Sequence, residues 1–191
     1  MNTPKKNKFY MPPEWHPHKC CWMQWPYENP NHNSYGDVPS WSHFDFEKAR
    51  LTWANVAKSI SEFEKVKMIV HPNELKKAKN LLDSNIQIIE LKIDDCWARD
   101  SGAIFLLNDK NKLGGVDWEF NGWGKFQPFD SDNKIAKFMI ENSNASYFKN
   151  NMVLEGGSIH VDGEGTLLTT EQCLLNKNRN KKLSKKEIEK N

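Results

Sequence analysis

Long apolar runs are missing from this sequence: no stretch approaches the ~20 consecutive apolar residues that a membrane-spanning helix needs. The opening segment, MNTPKKNKFYMPPEW, carries lysines but no apolar stretch behind them, so it does not read as a signal peptide. An excess of one charge sign is lacking as well. The formal net charge is +2, with 27% charged and 38% apolar residues, a globular composition without a general attraction for nucleic acid or an anionic membrane. Neither a Walker-type phosphate loop nor G-x-G-x-x-G occurs. Cysteine is scarce. Cys20, Cys21, Cys96 and Cys173 form no C-x-x-C pair, sequence neighbours rarely bridge, and all four read as reduced thiols of a cytoplasmic protein.

Aromatic side chains, by contrast, are plentiful: eight Trp and ten Phe among 191 residues. Trp22, Trp25 and Trp41 fit a core, but such density also suits a pocket for a cation. The length fits a single domain. Residues 1–42, rich in Pro, Asn, His and Trp without periodicity, predict an irregular segment wrapping that domain. From residue 44 onward, the spacing of Phe46, Ala49, Trp53, Val56, Ala57, Ile60 and Phe63 predicts a helix. The run from Val66 to Val70 predicts a strand, residues 74–82 a helix and residues 86–91 a second strand, which is the alternation of the α/β class.

Two later segments resemble each other. Arg99-Asp100-Ser101-Gly102-Ala103-Ile104-Phe105-Leu106 leads into the turn Asn108-Asp109-Lys110-Asn111 and then Leu113. Leu154-Glu155-Gly156-Gly157-Ser158-Ile159-His160-Val161 leads into Asp162-Gly163-Glu164-Gly165 and then Leu167. Both predict hairpins, each opening with an acid, then small residues, then an isoleucine four positions on. A helix predicted over residues 132–141, with Ile135, Phe138 and Met139 on one face, separates them. The unit therefore repeats with a period of roughly fifty residues, as in repeat architectures.

If the two hairpins are equivalent repeats around an axis, Asp100 and Glu155 face one centre. Two carboxylates there repel unless a cation sits between them. A guanidinium is the natural occupant, being planar, permanently charged and able to meet two carboxylates with forked N–H donors. The small residues after each acid would let a ligand approach the backbone, and Trp97, three residues before Asp100, could face a cation or an aliphatic stem. Taken singly, each acid reads as readily as structural: Asp100 beside Arg99 as a surface pair, Glu155-Gly156-Gly157 as a turn.

Six ordered motifs carry a family resemblance. They are Met11-Pro12-Pro13-Glu14-Trp15-x-Pro17-His18, Trp22-Met23-Gln24-Trp25-Pro26, Asp94-Asp95-Cys96-Trp97-Ala98-Arg99-Asp100-Ser101-Gly102, and Asp117-Trp118-x-Phe120-Asn121-x-Trp123-Gly124. Leu154-Glu155-Gly156-Gly157-Ser158-Ile159-His160 and Leu167-Leu168-Thr169-Thr170-Glu171-Gln172-Cys173-Leu174-Leu175-Asn176 follow. Together they resemble the agmatine deiminases of the bacterial peptidyl-arginine deiminase family, from Met11 onward. The resemblance implies an incomplete pentein α/β propeller, with residues 43–191 as its first repeats. It implies hydrolysis of a guanidine to a ureido group and ammonia, here agmatine to N-carbamoylputrescine in putrescine biosynthesis, without metal or cofactor. In that chemistry a Cys thiolate attacks the guanidinium carbon, a His serves as acid and base, and two carboxylates hold the nitrogens. By motif position Asp100 and Glu155 are those carboxylates, and Trp97 and Trp25 border the pocket.

The resemblance also implies that the nucleophilic Cys and catalytic His are absent from this chain, since neither family motif occurs. His160-Val161-Asp162 imitates one, but it belongs to the Glu155 hairpin and reads as strand. Cys96 beside Asp94 and Asp95 reads as a blunted thiol. Zinc at His16, His18, His32 and His43 with Cys20 and Cys21 is imaginable, but the family uses no metal. The tail 176–191, with seven Lys/Arg against two Glu, reads as solvated rather than as a nucleic-acid patch. Its capping box at Ser184 and Glu187 starts a helix with few residues left, so the chain reads as truncated and inactive alone. An incomplete propeller implies an open sheet edge, and hence self-association or completion by a C-terminal part. The competing readings are a non-catalytic binder of guanidinium or amine cations, an unstable remnant, and a peptidyl-arginine deiminase.

Overall fold

The computed structural model describes residues 3–31 and 45–191. Trp41, His32, His43 and the helix start expected at residue 44 lie outside the described residues. In chain order the strands are β1 (Phe9–Tyr10), β2 (Cys20–Gln24), β3 (Lys65–Val70), β4 (Gln87–Glu90) and β5 (Ile104–Asn108). They continue with β6 (Leu113–Glu119), β7 (Ser146–Val153), β8 (Ile159–Val161) and β9 (Leu167–Thr169). The contacts divide the chain into two compact units: Met1–His16 with Arg99–Lys125 and Asn133–Asn191, and Pro17–Ala98 with Phe126–Asp132. Among the described residues no helix is long and apolar enough to cross a membrane.

The Pro17–Ala98 unit is a parallel sheet in the order β2-β3-β4. Its central strand ends in an apolar run covered on both faces, with Met68, Ile69 and Val70 fully buried, after a start in which Lys65 is exposed. The helix Phe46–Ser61 is capped by Asp45, whose carboxylate accepts the Lys48 N–H. It buries Ala49, Arg50, Ala54 and Ala57. That face differs from the one the spacing predicts. Val56 and Phe63 are exposed, while Arg50 is buried because its guanidinium meets Glu74 at 2.8 Å. The irregular wrap expected over residues 1–42 also differs, for it contains β1 and β2. Strand β2 sits at the sheet edge with four of its five residues half-buried, so it lacks the inside–outside alternation that marks a strand in sequence.

The other unit holds a mixed sheet in the order β1-β5-β6-β7 and the two-stranded sheet β8-β9. Both expected hairpins form, β5 with β6 and β8 with β9, each antiparallel. Their turns use one device. The Asn108 side chain accepts the N–H groups of Lys110 and Lys112, and Asp162 accepts those of Glu164 and Thr166. The isoleucines four residues after each acid, Ile104 and Ile159, are both buried in one apolar cluster with Val116, Leu154, Leu174 and Ile188. Between the hairpins the helix Ile135–Asn142 provides the crossover to β7, which runs parallel to β6. The capping box at Ser184 and Glu187 forms, and the short helix Lys185–Ile188 is anchored by burial of Ile188 rather than by its own propensity.

Candidate functional site

Asp100 sits in a one-turn helix, Ala98–Ser101, just ahead of β5; Glu155 caps a single 3-10 turn, Gly156–Ser158, just ahead of β8. The two acids thus occupy matching places before matching strands. The structure brings their segments together. Asp100 Oδ1 accepts the Gly157 N–H at 2.9 Å, two residues beyond Glu155. A methyl on Gly157 would overlap Asp100 Oδ1, and one on Gly156 would overlap the Arg99 carbonyl. The two glycines therefore make room for the other acid's segment, where the sequence had offered them to a ligand.

Each acid has a further partner that sequence reasoning missed. Asp100 Oδ2 accepts the indole Nε1–H of Trp123 at 3.0 Å. Glu155, 3% exposed, accepts from Arg179 Nε at 2.9 Å, an ion pair whose arginine side chain is 12% exposed. Trp123 had been noted as part of a motif, and Arg179 as one cation of a basic tail. The burial of Glu155 is the signal that demands a cation, and burial is invisible in one sequence. Arg99, beside Asp100, pairs outward with Glu14.

Trp123 is held in unusual backbone. Gly122, Trp123, Gly124 and Lys125 take φ of 62°, 55°, 94° and 70°, four successive residues in the left-handed region. Left-handed backbone costs a side-chain-bearing residue about 1–2 kcal/mol, so Trp123 and Lys125 carry strain that the two glycines avoid. The turn is closed by the Lys125 N–H to the Asn121 carbonyl at 2.7 Å, and by the Gly124 N–H to Asn121 Oδ1 at 2.9 Å. Asn121 Nδ2 also donates to the Asn178 carbonyl at 2.9 Å. A methyl on Gly124 would lie 2.8 Å from Asn178 Cβ and 3.2 Å from Arg179 Nη1. Trp123 stacks edge-on against buried Phe120, with ring centroids 5.1 Å apart.

Trp97, Trp25, Cys96, Cys20 and Cys21 lie in the other unit. Trp97 is 39% exposed and packs edge-on against Trp53. Trp25 is fully buried in that unit's core, its indole N–H directed at Glu74. Cys96 is buried, and burial, then Asp95, pushes its thiol far up, so it is a poor nucleophile. Burial also raises the thiols of Cys20 and Cys21 on β2. His160 is an exposed residue of β8, as expected. Among the described residues no three His, Cys, Asp or Glu side chains gather as a metal site.

Comparison with known proteins places this geometry among relatives. The family model for Porphyromonas-type peptidyl-arginine deiminase matches residues 10–191. A protein of Legionella pneumophila is 48% identical over 99% of this chain and 53% of its own length. The agmatine deiminase of Pseudomonas aeruginosa is 44% identical over 98% of this chain and 50% of its own. The solved structure of the Enterococcus faecalis agmatine deiminase superposes with a TM-score of 0.87 at 37% identity, covering 100% of this chain and 51% of that one. The α/β class and the likeness to the deiminase fold both stand, and the chain spans about half the length of the relatives it matches.

Proposed function

The chain belongs to the Porphyromonas-type peptidyl-arginine deiminase family, and on that premise we propose that it holds the guanidinium of agmatine with Asp100 and Glu155. The whole reaction is hydrolysis of agmatine to N-carbamoylputrescine and ammonia, a step toward putrescine in the cytoplasm. Water adds to the guanidinium carbon, one C–N bond breaks and ammonia leaves. The observation that carries the reading is the hydrogen bond from the Gly157 N–H to Asp100, which ties together the two acid-bearing segments. Two acids held in neighbouring segments favour a shared cation, and a planar guanidinium has donors enough for both.

In this reading Trp97 is exposed and offers a ring on which an aliphatic stem can lie, and Trp25 is fully buried. No metal or cofactor takes part. None of the four cysteines is assigned the nucleophile. Leu167 and Leu168, exposed on opposite faces of β9, favour contact of that hairpin with further protein surface.

Two measurements on the 191-residue chain test the proposal. Calorimetry is expected to find agmatine binding, and an ammonia-release assay is expected to stay at background. Failure to bind agmatine overturns the role of the two acids. Turnover at an ordinary enzyme rate overturns the claim that the nucleophile is not among Cys20, Cys21, Cys96 and Cys173.

A further inference from the structure

The strained turn at residues 122–125 has no need in the hairpins themselves. Trp123, with φ of 55°, lies between β6 and the crossover helix Ile135–Asn142, outside both. Strain of this kind persists where surrounding contacts over-determine it, and it concentrates where a side chain must be aimed. Here the aimed group is an indole N–H, and its target is one oxygen of Asp100. The turn is wedged against the Lys177–Asn180 helix through Asn121 and Gly124, and that helix carries the arginine that meets Glu155.

We propose that Trp123 and Arg179 are the positioning residues of the guanidinium-binding acids. Trp123 fixes Asp100, Arg179 fixes Glu155, and the turn 122–125 packed against Asn178 and Arg179 sets the two acids as one array. This rests on the reading that Asp100 and Glu155 bind the substrate guanidinium.

Three features carry it beyond a structural role. First, each Asp100 oxygen already accepts one hydrogen bond, from Gly157 and from Trp123, which fixes the carboxylate plane while leaving one acceptor site on each oxygen. Second, Arg179 uses Nε on Oε1 alone rather than a fork on both oxygens, so Glu155 retains acceptor capacity for an incoming N–H. Third, two acids and one arginine leave a single formal negative charge, which one guanidinium cancels.

The test is agmatine binding by calorimetry to the 191-residue chain and to Trp123→Phe and Arg179→Lys, with putrescine as the diamine lacking a guanidinium. Phe keeps an aromatic ring near Phe120 and removes the donor with the pyrrole half of the indole; Lys keeps the charge and removes Nε. Each variant is expected to bind agmatine about tenfold more weakly, the worth of roughly one charge-assisted hydrogen bond. The preference for agmatine over putrescine should shrink with it, whereas a merely structural role would lower the melting temperature and leave that preference unchanged. In the unsubstituted chain the Trp123 indole N–H resonance, identified by its loss in Trp123→Phe, should shift on adding agmatine and not on adding putrescine. That measurement stands even if Arg179→Lys fails to fold. Agmatine binding with equal affinity and selectivity in both variants, or an indole resonance unmoved at saturation, overturns the positioning roles alone. No agmatine binding by the unsubstituted chain overturns the carboxylate reading, and the positioning roles fall with it.

Discussion

Alanine at Gly157 isolates the contact between the two acid segments. Its methyl would overlap Asp100 Oδ1, the atom that accepts the Gly157 N–H. Asp100 is half-buried and Gly157 exposed, so the carboxylate can swing away to relieve the overlap, and the fold should lose the worth of the bond this breaks. The swing abandons a hydrogen bond to a carboxylate, worth about 1.5–3 kcal/mol. If Asp100 grips the ligand in its observed orientation, agmatine affinity should fall roughly 10- to 150-fold. Two other glycines calibrate the effect. At Gly156 the added methyl meets the backbone carbonyl of Arg99, which cannot rotate away, so alanine there should cost about 1–3 kcal/mol of stability. At Gly165, φ is 106° with open space around it, so alanine should cost about 1 kcal/mol from backbone strain alone and leave binding untouched. Urea melts and agmatine calorimetry on the three variants read both quantities. Equal affinity in Gly157→Ala and Gly165→Ala, at comparable stability, would refute the link between this contact and the ligand.

Two stability predictions come from outside the acid pair. Burial pushes the Asp132 carboxyl well above its ordinary 3.8, although its oxygens accept the N–H groups of Asp94 and Asp95. A carboxyl that binds its proton more tightly when folded stabilises the fold most below pH 3.8, and that contribution is lost as pH rises through the folded value. Urea midpoints of the unsubstituted chain should therefore decline relative to Asp132→Asn as pH rises from ~4 toward neutrality; parallel curves would contradict the assignment. Ser184→Ala removes the capping box that starts Lys185–Ile188 and should cost about 1 kcal/mol. Since Ile188 is packed in the core, the loss should appear in the global urea midpoint, and exchange confined to residues 185–188 would show the helix to be uncoupled.

Much of the fold was legible because its signals are local. The Asn108 and Asp162 turns and the Ser184 box announce themselves by residue type, and the helix Phe46–Ser61 by the spacing of its apolar residues. The matched acids were legible as a repeat, which required only comparing two stretches of chain. What escaped depends on tertiary context. Strand β2 is defined by its partner β3, with little pattern of its own. The apolar face of the helix Phe46–Ser61 was misjudged because a buried arginine counts as polar until Glu74 is found beneath it. Trp123 and Arg179 lie 23 and 24 residues from the acids they serve, and only the fold brings them there.

The repeat also explains what it does not reproduce. The two acids share position, the following isoleucine and the turn chemistry, yet they are held by opposite means. Asp100 is held by neutral donors from Trp123 and the Gly157 backbone and keeps part of its surface in water. Glu155, at 3% exposure, would face a large desolvation cost without the Arg179 guanidinium, and removing one partner of a buried pair typically costs about 3–5 kcal/mol. An arginine at both places would leave the array neutral and without attraction for a cation; an arginine at neither would leave a buried acid unpaired. One buried acid paired from within and one half-exposed acid held by neutral donors leave one net negative charge among Asp100, Glu155 and Arg179.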